Sequence, residues 1–227
     1  MQQETNKDAS EVGRIQGGKF NSFLEFIESI GISSTRDTLL SEYKKNPELY
    51  EKIFQGTDFP MIFQSLYGNR FGDGTIQSAG CSITSTAMVL SYLTGENITP
   101  DLLVQNGATP SGGDMWATSI EKGLSQYGYT KGQEYNGTDK TTKHEMIDAA
   151  LESGMPVIAR YGSKSLFTTG GHFVVIAGKN PDGTYIIHDP NIANYQELEL
   201  VEGFANGFTY EEMLKGLNGV IVPEKKQ

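Results

Sequence analysis

Cys81 is the only cysteine among 227 residues, and a lone thiol has few roles open to it. It excludes an intramolecular disulfide, a CxxC redox pair and a thiolate zinc knuckle. A packed core residue and a nucleophile remain, and core packing is the default for a free cysteine. Cys81, however, follows a Gly- and Ser-rich stretch and opens CSITSTAMVLSYLTG, in which Ile83, Ala87 and Leu90 recur at helical spacing before Gly95. A cysteine on the first turn of a helix meets the positive end of the macrodipole and unpaired backbone N–H groups, both of which favour a thiolate. The chemistry on offer is attack on a carbonyl carbon.

Such a nucleophile needs a base, and the chain holds three histidines, His144, His172 and His188. His144 stands in KHEMIDAALESG, where HEMID lacks the second histidine of a zinc HExxH motif, so it reads as a solvated surface residue. His172 opens GGHFVVIAG, where two glycines leave room for a substrate backbone and a strand can hold the imidazole rigidly. It is the favoured base. His188 ends TYIIH and reads as a structural residue, or as the base if the strand register shifts by one. Asp189 follows the Asn180–Gly183 turn, and hairpin pairing brings it back toward His172, where a carboxylate would fix the ring. By itself Asp189-Pro190-Asn191 is an ordinary turn opener; only the combination gives it a role.

The elements that must position these residues divide the chain unevenly. Residues 1–18 show no periodicity and end in Gly17-Gly18, a lead-in without expected structure. Residues 19–56 form a helical preamble. Phe20, Phe23, Leu24, Ile27 and Ile30 predict a first helix stopped by Gly31, Leu39, Leu40 and Tyr43 a second, and Asn46-Pro47 opens a third. The preamble's aromatic residues Phe20, Phe23, Tyr43, Tyr50 and Phe54 sit at helical spacing and read as core, packed beside the cleft as a pro-segment or capping the fold. From 57 to 227 a single domain is expected. It has the Cys81 helix, a short helix from Thr99-Pro100, a helix capped by Asp114 and one from about Thr142 to Ser153. MPVIARY, GHFVVIAG, TYIIHD and GVIVP then read as strands. Helices first and strands afterwards predict an α+β fold with the helices packed on an antiparallel sheet. Met115 and Trp116, after the TPSGGD loop, read equally as groove lining and as core.

Charge and composition narrow the partners. Eighteen Lys+Arg against twenty-eight Asp+Glu give a formal charge of −10, which disfavours nucleic acid and anionic membranes. No run approaches the roughly 18 apolar residues of a membrane span. The polar opening MQQETNKDASE lacks a signal-peptide apolar region, yet suits a tether left after a signal or anchor is removed. Residue types alone leave the compartment open. They imply no metal or organic cofactor, and they do not address oligomeric state.

The ordered motifs FPMIFQ, GCSITSTAMVL, GGHFVVIAG, NPDG and HDPN resemble those of the papain-like cysteine peptidases of family 39 and their extracytoplasmic relatives, over about Phe59 to Pro223. The resemblance implies a papain-like fold with Cys81 as nucleophile, His172 as base and Asp189 as orienting group. It also implies Gln64 as side-chain donor of an oxyanion hole, beside the Cys81 backbone N–H. Two departures stand out: Ser82 follows the nucleophile where many members have Gly, and a long loop fills the Gln64–Cys81 interval. That loop makes Gln77 a rival donor; Gln64 is preferred because it ends an apolar, strand-like run. The implied activity is peptide or amide hydrolysis through an acyl-enzyme. The implied setting is a bacterial extracellular or cell-surface protein acting on a peptide, with cell-wall peptide one candidate. Classical members trim double-glycine leader peptides as domains of transporters, and this chain has no transporter spans. Two alternatives stay open, an inactive peptide-binding module that keeps the fold and an acyltransferase that uses the same Cys/His pair.

Overall fold

The structure is a computed structural model that describes residues 14–15, 22–29, 33–55, 59–111 and 115–227. Phe20, Ile30, Gly31 and the Asp114 cap lie outside them. The preamble contributes helices α1 (Phe23–Ser29), α2 (Ser33–Lys45) and α3 (Pro47–Gln55). Asn46 caps α3 as expected, its side chain accepting from the Leu49 N–H at 3.3 Å. The lead-in differs from expectation at one point: strand β1 (Arg14–Ile15) pairs antiparallel with β2 (Met61–Ile62).

The Gln64–Cys81 interval, read from sequence as a loop, is folded throughout. Gln64 opens a 3-10 turn (Gln64–Leu66), and β3 (Arg70–Phe71) and β4 (Gly74–Thr75) form a hairpin across Gly72, whose φ of 61° favours glycine. A four-residue helix, α4 (Ile76–Ala79), follows, with Thr75 and Ser78 in a reciprocal capping box. Helix α5 (Cys81–Thr94) comes next, then α6 (Pro100–Gln105) and α7 (Met115–Gln126). The sequence suggests one buried face for α5; in fact Ser82 through Ser91 are all buried. Most of its hydroxyls tolerate this because they are bonded: Ser82 Oγ to Ser119 Oγ at 3.1 Å, Ser85 Oγ to the Phe173 carbonyl at 3.2 Å, and Thr86 Oγ1 to the Ser82 carbonyl at 2.8 Å, whereas Thr84 Oγ1 has no hydrogen-bond partner.

The second half holds β5 (Tyr129–Tyr135), α8 (Lys140–Glu152), β6 (Val157–Tyr161), β7 (His172–Lys179), β8 (Tyr185–His188), α9 (Leu198–Asn206), α10 (Tyr210–Leu214) and β9 (Leu217–Lys225). Five of these strands form an antiparallel sheet in the order β5-β9-β6-β7-β8. Its two faces carry two cores, as a period of two demands. Ile158, Phe173, Val175 and Ile221 pack under α5 and α7. Val157, Ala159, Tyr161, Val174 and Ile176 face the opposite core, which also holds Phe23, Tyr50 and Ile53 of the preamble. The preamble aromatics Phe23 and Tyr50 are therefore core. No described preamble residue lines the cleft that contains Cys81; α3 packs on α9, and Tyr50 donates to the Tyr195 carbonyl at 2.6 Å.

Candidate active site

Cys81 stands where α4 ends and α5 begins. Gly80 closes one helix and caps the next, and a Cβ there would meet the Ile76 carbonyl oxygen at 2.5 Å and Ile76 Cα at 2.7 Å. No side-chain-bearing residue fits that turn without a shift between Gly80 and the Ile76 backbone. The sulfur is half-buried, and the first-turn N–H groups of α5 lie at the helix end, where intrahelical partners are lacking.

His172 is the first residue of β7, directly opposite Tyr161 on β6. Its ring lines the same cleft as Cys81, and its Nε2 lies 2.7 Å from Asp189 Oδ1. A carboxylate only accepts, so Nε2 carries a proton and Nδ1 is the nitrogen available to Cys81. Burial alone would lower the imidazole pKa. The Asp189 charge, the hydrogen bond to it and the Cys81 sulfur outweigh burial and raise the pKa to about 10. The site therefore favours imidazolium beside sulfur.

Strand register explains why Asp189 reaches this ring and His188 does not. Val175 pairs with His188, so Asp189, one residue on, falls opposite Val174, on the His172 face and diagonal to it. His188 points the other way, its ring 5.2 Å from that of Phe59. It does not line the Cys81 cleft. Asp189 is buried and accepts three bonds, from His172, from the Asn191 N–H at 2.7 Å and from Asn194 Nδ2 at 2.6 Å. Asn194 is also tied to the Phe167 carbonyl at 3.1 Å, and the Tyr195 hydroxyl accepts the Asp189 N–H at 3.2 Å. Asn194 and Tyr195 lie on a 3-10 run (Ile192–Gln196), and the sequence reading missed both. The available signal was Asn191 and Asn194 at turn spacing after the DP dipeptide.

Gln64 is buried and lines the cleft, although it starts a turn instead of ending a strand. Its N–H donates to the Pro190 carbonyl at 2.9 Å, which ties it to the turn after Asp189. Its Nε2 donates to the Gln77 carbonyl at 3.1 Å, leaving a second N–H on that nitrogen. Gln77 is exposed at the cleft mouth. Trp116 lines the cleft too, its ring 5.9 Å from Phe71. The side chain of Met115 lies outside the description. His144 is no solvated residue: it is half-buried, with Nε2 2.8 Å from the Tyr185 hydroxyl and 3.2 Å from Asp148. It sits far from this chemistry, in a network with Lys179.

A cysteine at a helix start, facing a strand histidine held by a buried carboxylate, on an α+β scaffold of helices over an antiparallel sheet, defines the papain-like class of domain. The sequence profile of the Peptidase_C39 like family matches residues 56–216, and the chain belongs to that family. Comparison with curated proteins gave no match. Among the described residues no helix is long and apolar enough to cross a membrane, and no cluster of His, Cys, Asp and Glu is arranged to hold a metal ion.

His188 has a measurable consequence of its own. Its buried Nδ1 has no hydrogen-bond partner, and burial pushes its pKa down to about 3. A histidine held neutral when folded takes up protons on unfolding below its ordinary pKa of roughly 6.5, so its contribution is intact above that value and is lost as pH falls toward 3. His172, with its pKa raised, acts oppositely: its contribution is intact below roughly 6.5 and is lost as pH rises toward 10. Urea-unfolding midpoints are expected to fall steadily from pH 6.5 to 4.5. The loss from His188 at pH 4.5 is on the order of 2–3 kcal/mol, and His188→Phe should flatten that slope. An equal slope in the variant would assign the acid sensitivity elsewhere.

Proposed function

We propose that the chain is a thiol-dependent hydrolase that cleaves a peptide bond through an acyl-enzyme on Cys81. The observation that carries this is that Cys81 and His172 line one cleft while buried Asp189 holds the far side of the imidazole. In this reading the Cys81 sulfur, ion-paired with the imidazolium, forms a bond to the scissile carbonyl carbon. The oxygen takes the displaced electron pair and is met by Gln64 Nε2–H and the Cys81 backbone N–H. As the carbon–nitrogen bond breaks, the His172 Nδ1 proton passes to the leaving amine. His172 then takes a proton from the water that attacks the thioester, and the acid product leaves as Cys81 regains its resting state. Asp189 keeps the ring oriented throughout, and Asn194 keeps Asp189 oriented. The resemblance to extracytoplasmic relatives supports an exported peptide, cell-wall peptide among them, as substrate, acted on outside the cytoplasm.

Alkylation of the native protein by iodoacetamide tests the reading. Cys81 should react at least about tenfold faster than free cysteine at neutral pH, as a helix-start nucleophile beside a base does. A rate no faster than that of free cysteine would instead make the protein an inactive peptide-binding member of the fold.

A further inference from the structure

Tyr50 lies before residue 56, where the match to the family begins, yet its hydroxyl reaches the turn that holds Asp189. Its own place is fixed within the preamble. The next residue, Glu51, accepts the Phe23 and Leu24 N–H groups at 2.9 and 3.4 Å and the Tyr43 hydroxyl at 2.8 Å, which ties α3 to α1 and α2. The Tyr50 ring lies 5.5 Å from that of Phe23 and 6.1 Å from that of Tyr43, and its buried hydroxyl donates to the Tyr195 carbonyl at 2.6 Å. Burial and the nearby Glu42 charge push the Tyr50 pKa up to about 12, so the hydroxyl remains a donor across the range in which His172 titrates. Tyr195 belongs to the Ile192–Gln196 run, which stops one residue later, where carbonyls lack helical partners. Its ring packs on Phe204, stacked at 4.2 Å, and on Phe63, edge-on at 5.4 Å. Its hydroxyl accepts the Asp189 N–H at 3.2 Å, and its neighbour Asn194 donates to Asp189 Oδ2 at 2.6 Å. Asp189 Oδ1 in turn meets His172 Nε2 at 2.7 Å. A continuous series of bonds thus runs from the preamble to the candidate base.

We propose that Tyr50 is a positioning residue for hydrolysis, holding the Ile192–Gln196 turn so that Asp189 keeps the His172 ring aligned, and that the preamble is a permanent part of the working enzyme and no removable pro-segment. The proposal rests on the reading of Cys81 as nucleophile and His172 as base. A pro-segment withholds activity by filling the cleft, and no described preamble residue lines it. A misplacement of about 1 Å in a group that orients the chemistry can cost on the order of 10²-fold in rate. One buried hydrogen bond at the root of the turn therefore bears on turnover well beyond its share of stability.

Tyr50→Phe in the full chain removes the hydroxyl and keeps the ring. With an internally quenched peptide drawn from a library, kcat is expected to fall about tenfold at unchanged KM. The His172 titration, followed by NMR and assigned by its loss in His172→Ala, should move to lower pH, because a loosened carboxylate supports the imidazolium less against burial. Tyr43→Phe deletes the neighbouring preamble hydroxyl, which donates to Glu51; it should lower the urea midpoint and leave kcat and the His172 titration unmoved. In an Asp189→Asn background Tyr50→Phe should add no further loss, since its route runs through that carboxylate. Mass spectrometry of protein alkylated by iodoacetamide gives a reading that needs no variant: the species in which Cys81 reacts fastest should retain the preamble. Wild-type kcat and titration in Tyr50→Phe, equal shifts in Tyr43→Phe, a full tenfold loss added to Asp189→Asn, or faster alkylation in a species that has lost the preamble would each overturn the proposal. Failure of the underlying reading looks different: wild-type Cys81 would then be as slow as free cysteine toward iodoacetamide, while the His172 titration still reports whether Tyr50 sets the ring.

Discussion

Cys81→Ala and His172→Ala should each lower peptide hydrolysis by on the order of 10⁵-fold or more, and the double variant should be no worse than either alone, because nucleophile and base act as one unit. The geometry gives the reason. The imidazole is held on one side by Asp189 at 2.7 Å and shares a cleft with the sulfur, so losing either member leaves the other with nothing to activate. Asp189→Asn should cost less, since an ion pair can still form once its orienting charge is gone. It should also leave a signature. The Asp189 carboxylate works against burial to raise the His172 pKa; without it burial prevails, and the alkaline limb of the kcat/KM profile should move to lower pH. Urea midpoints measured alongside separate chemistry from folding, as Asp189 also serves Asn191 and Asn194. Substantial turnover by the Cys81→Ala protein would remove the covalent mechanism.

The parts of this site legible in the sequence are those built from local signals. A helix start after Ala79-Gly80, a strand opened by two glycines and an Asn-Pro-Asp-Gly hairpin are short-range features. The hairpin register they imply places Asp189 diagonal to His172. The sheet followed from β-branched runs in the same way, except for β5. Its Tyr129–Tyr135 sequence carries Lys131, Gly132 and Glu134 at an edge where one face is wet, and a bulge at Gly132 breaks the alternation.

What lay hidden depends on contacts between distant segments. Asn194 acquires meaning only when the Ile192–Gln196 turn folds back on Asp189. That turn is braced by Tyr195, stacked on Phe204 at 4.2 Å and bonded through its carbonyl to Tyr50, 145 residues earlier. The preamble aromatics could be recognised as core from their spacing, but not as core that abuts the turn holding Asp189. Arg160 was hidden for a related reason: in MPVIARY it reads as the polar residue at the end of a strand. Only the pairing with Phe173 and the packing of α5 over that face bring it to the wall of the Cys81 cleft.

The second large effect concerns the carbonyl oxygen that would take negative charge when the sulfur attacks. Gln64→Ala should lower kcat by on the order of 10²–10³ with little change in KM, because a donor matters most once the charge has formed. The rival, Gln77, should be almost silent as Gln77→Ala. Sequence position alone favoured Gln64 for a rigid strand end, and that rationale does not hold, as Gln64 begins a turn. Its rigidity has another source. Its backbone N–H is bonded to the Pro190 carbonyl, next to Asp189, and its side-chain nitrogen is bonded to the Gln77 carbonyl. The Gln77 backbone is anchored in turn, its N–H donating to the Tyr67 carbonyl at 2.9 Å. Gln77 therefore contributes through main-chain atoms that alanine retains, while its own amide stands exposed at the cleft mouth and must be ordered before it can donate. Steady-state kinetics on the two single variants decide between them. If Gln77→Ala is crippled and Gln64→Ala is normal, the oxyanion donor sits on α4, and the Gln64 amide serves only to fasten the Gln77 carbonyl beneath it.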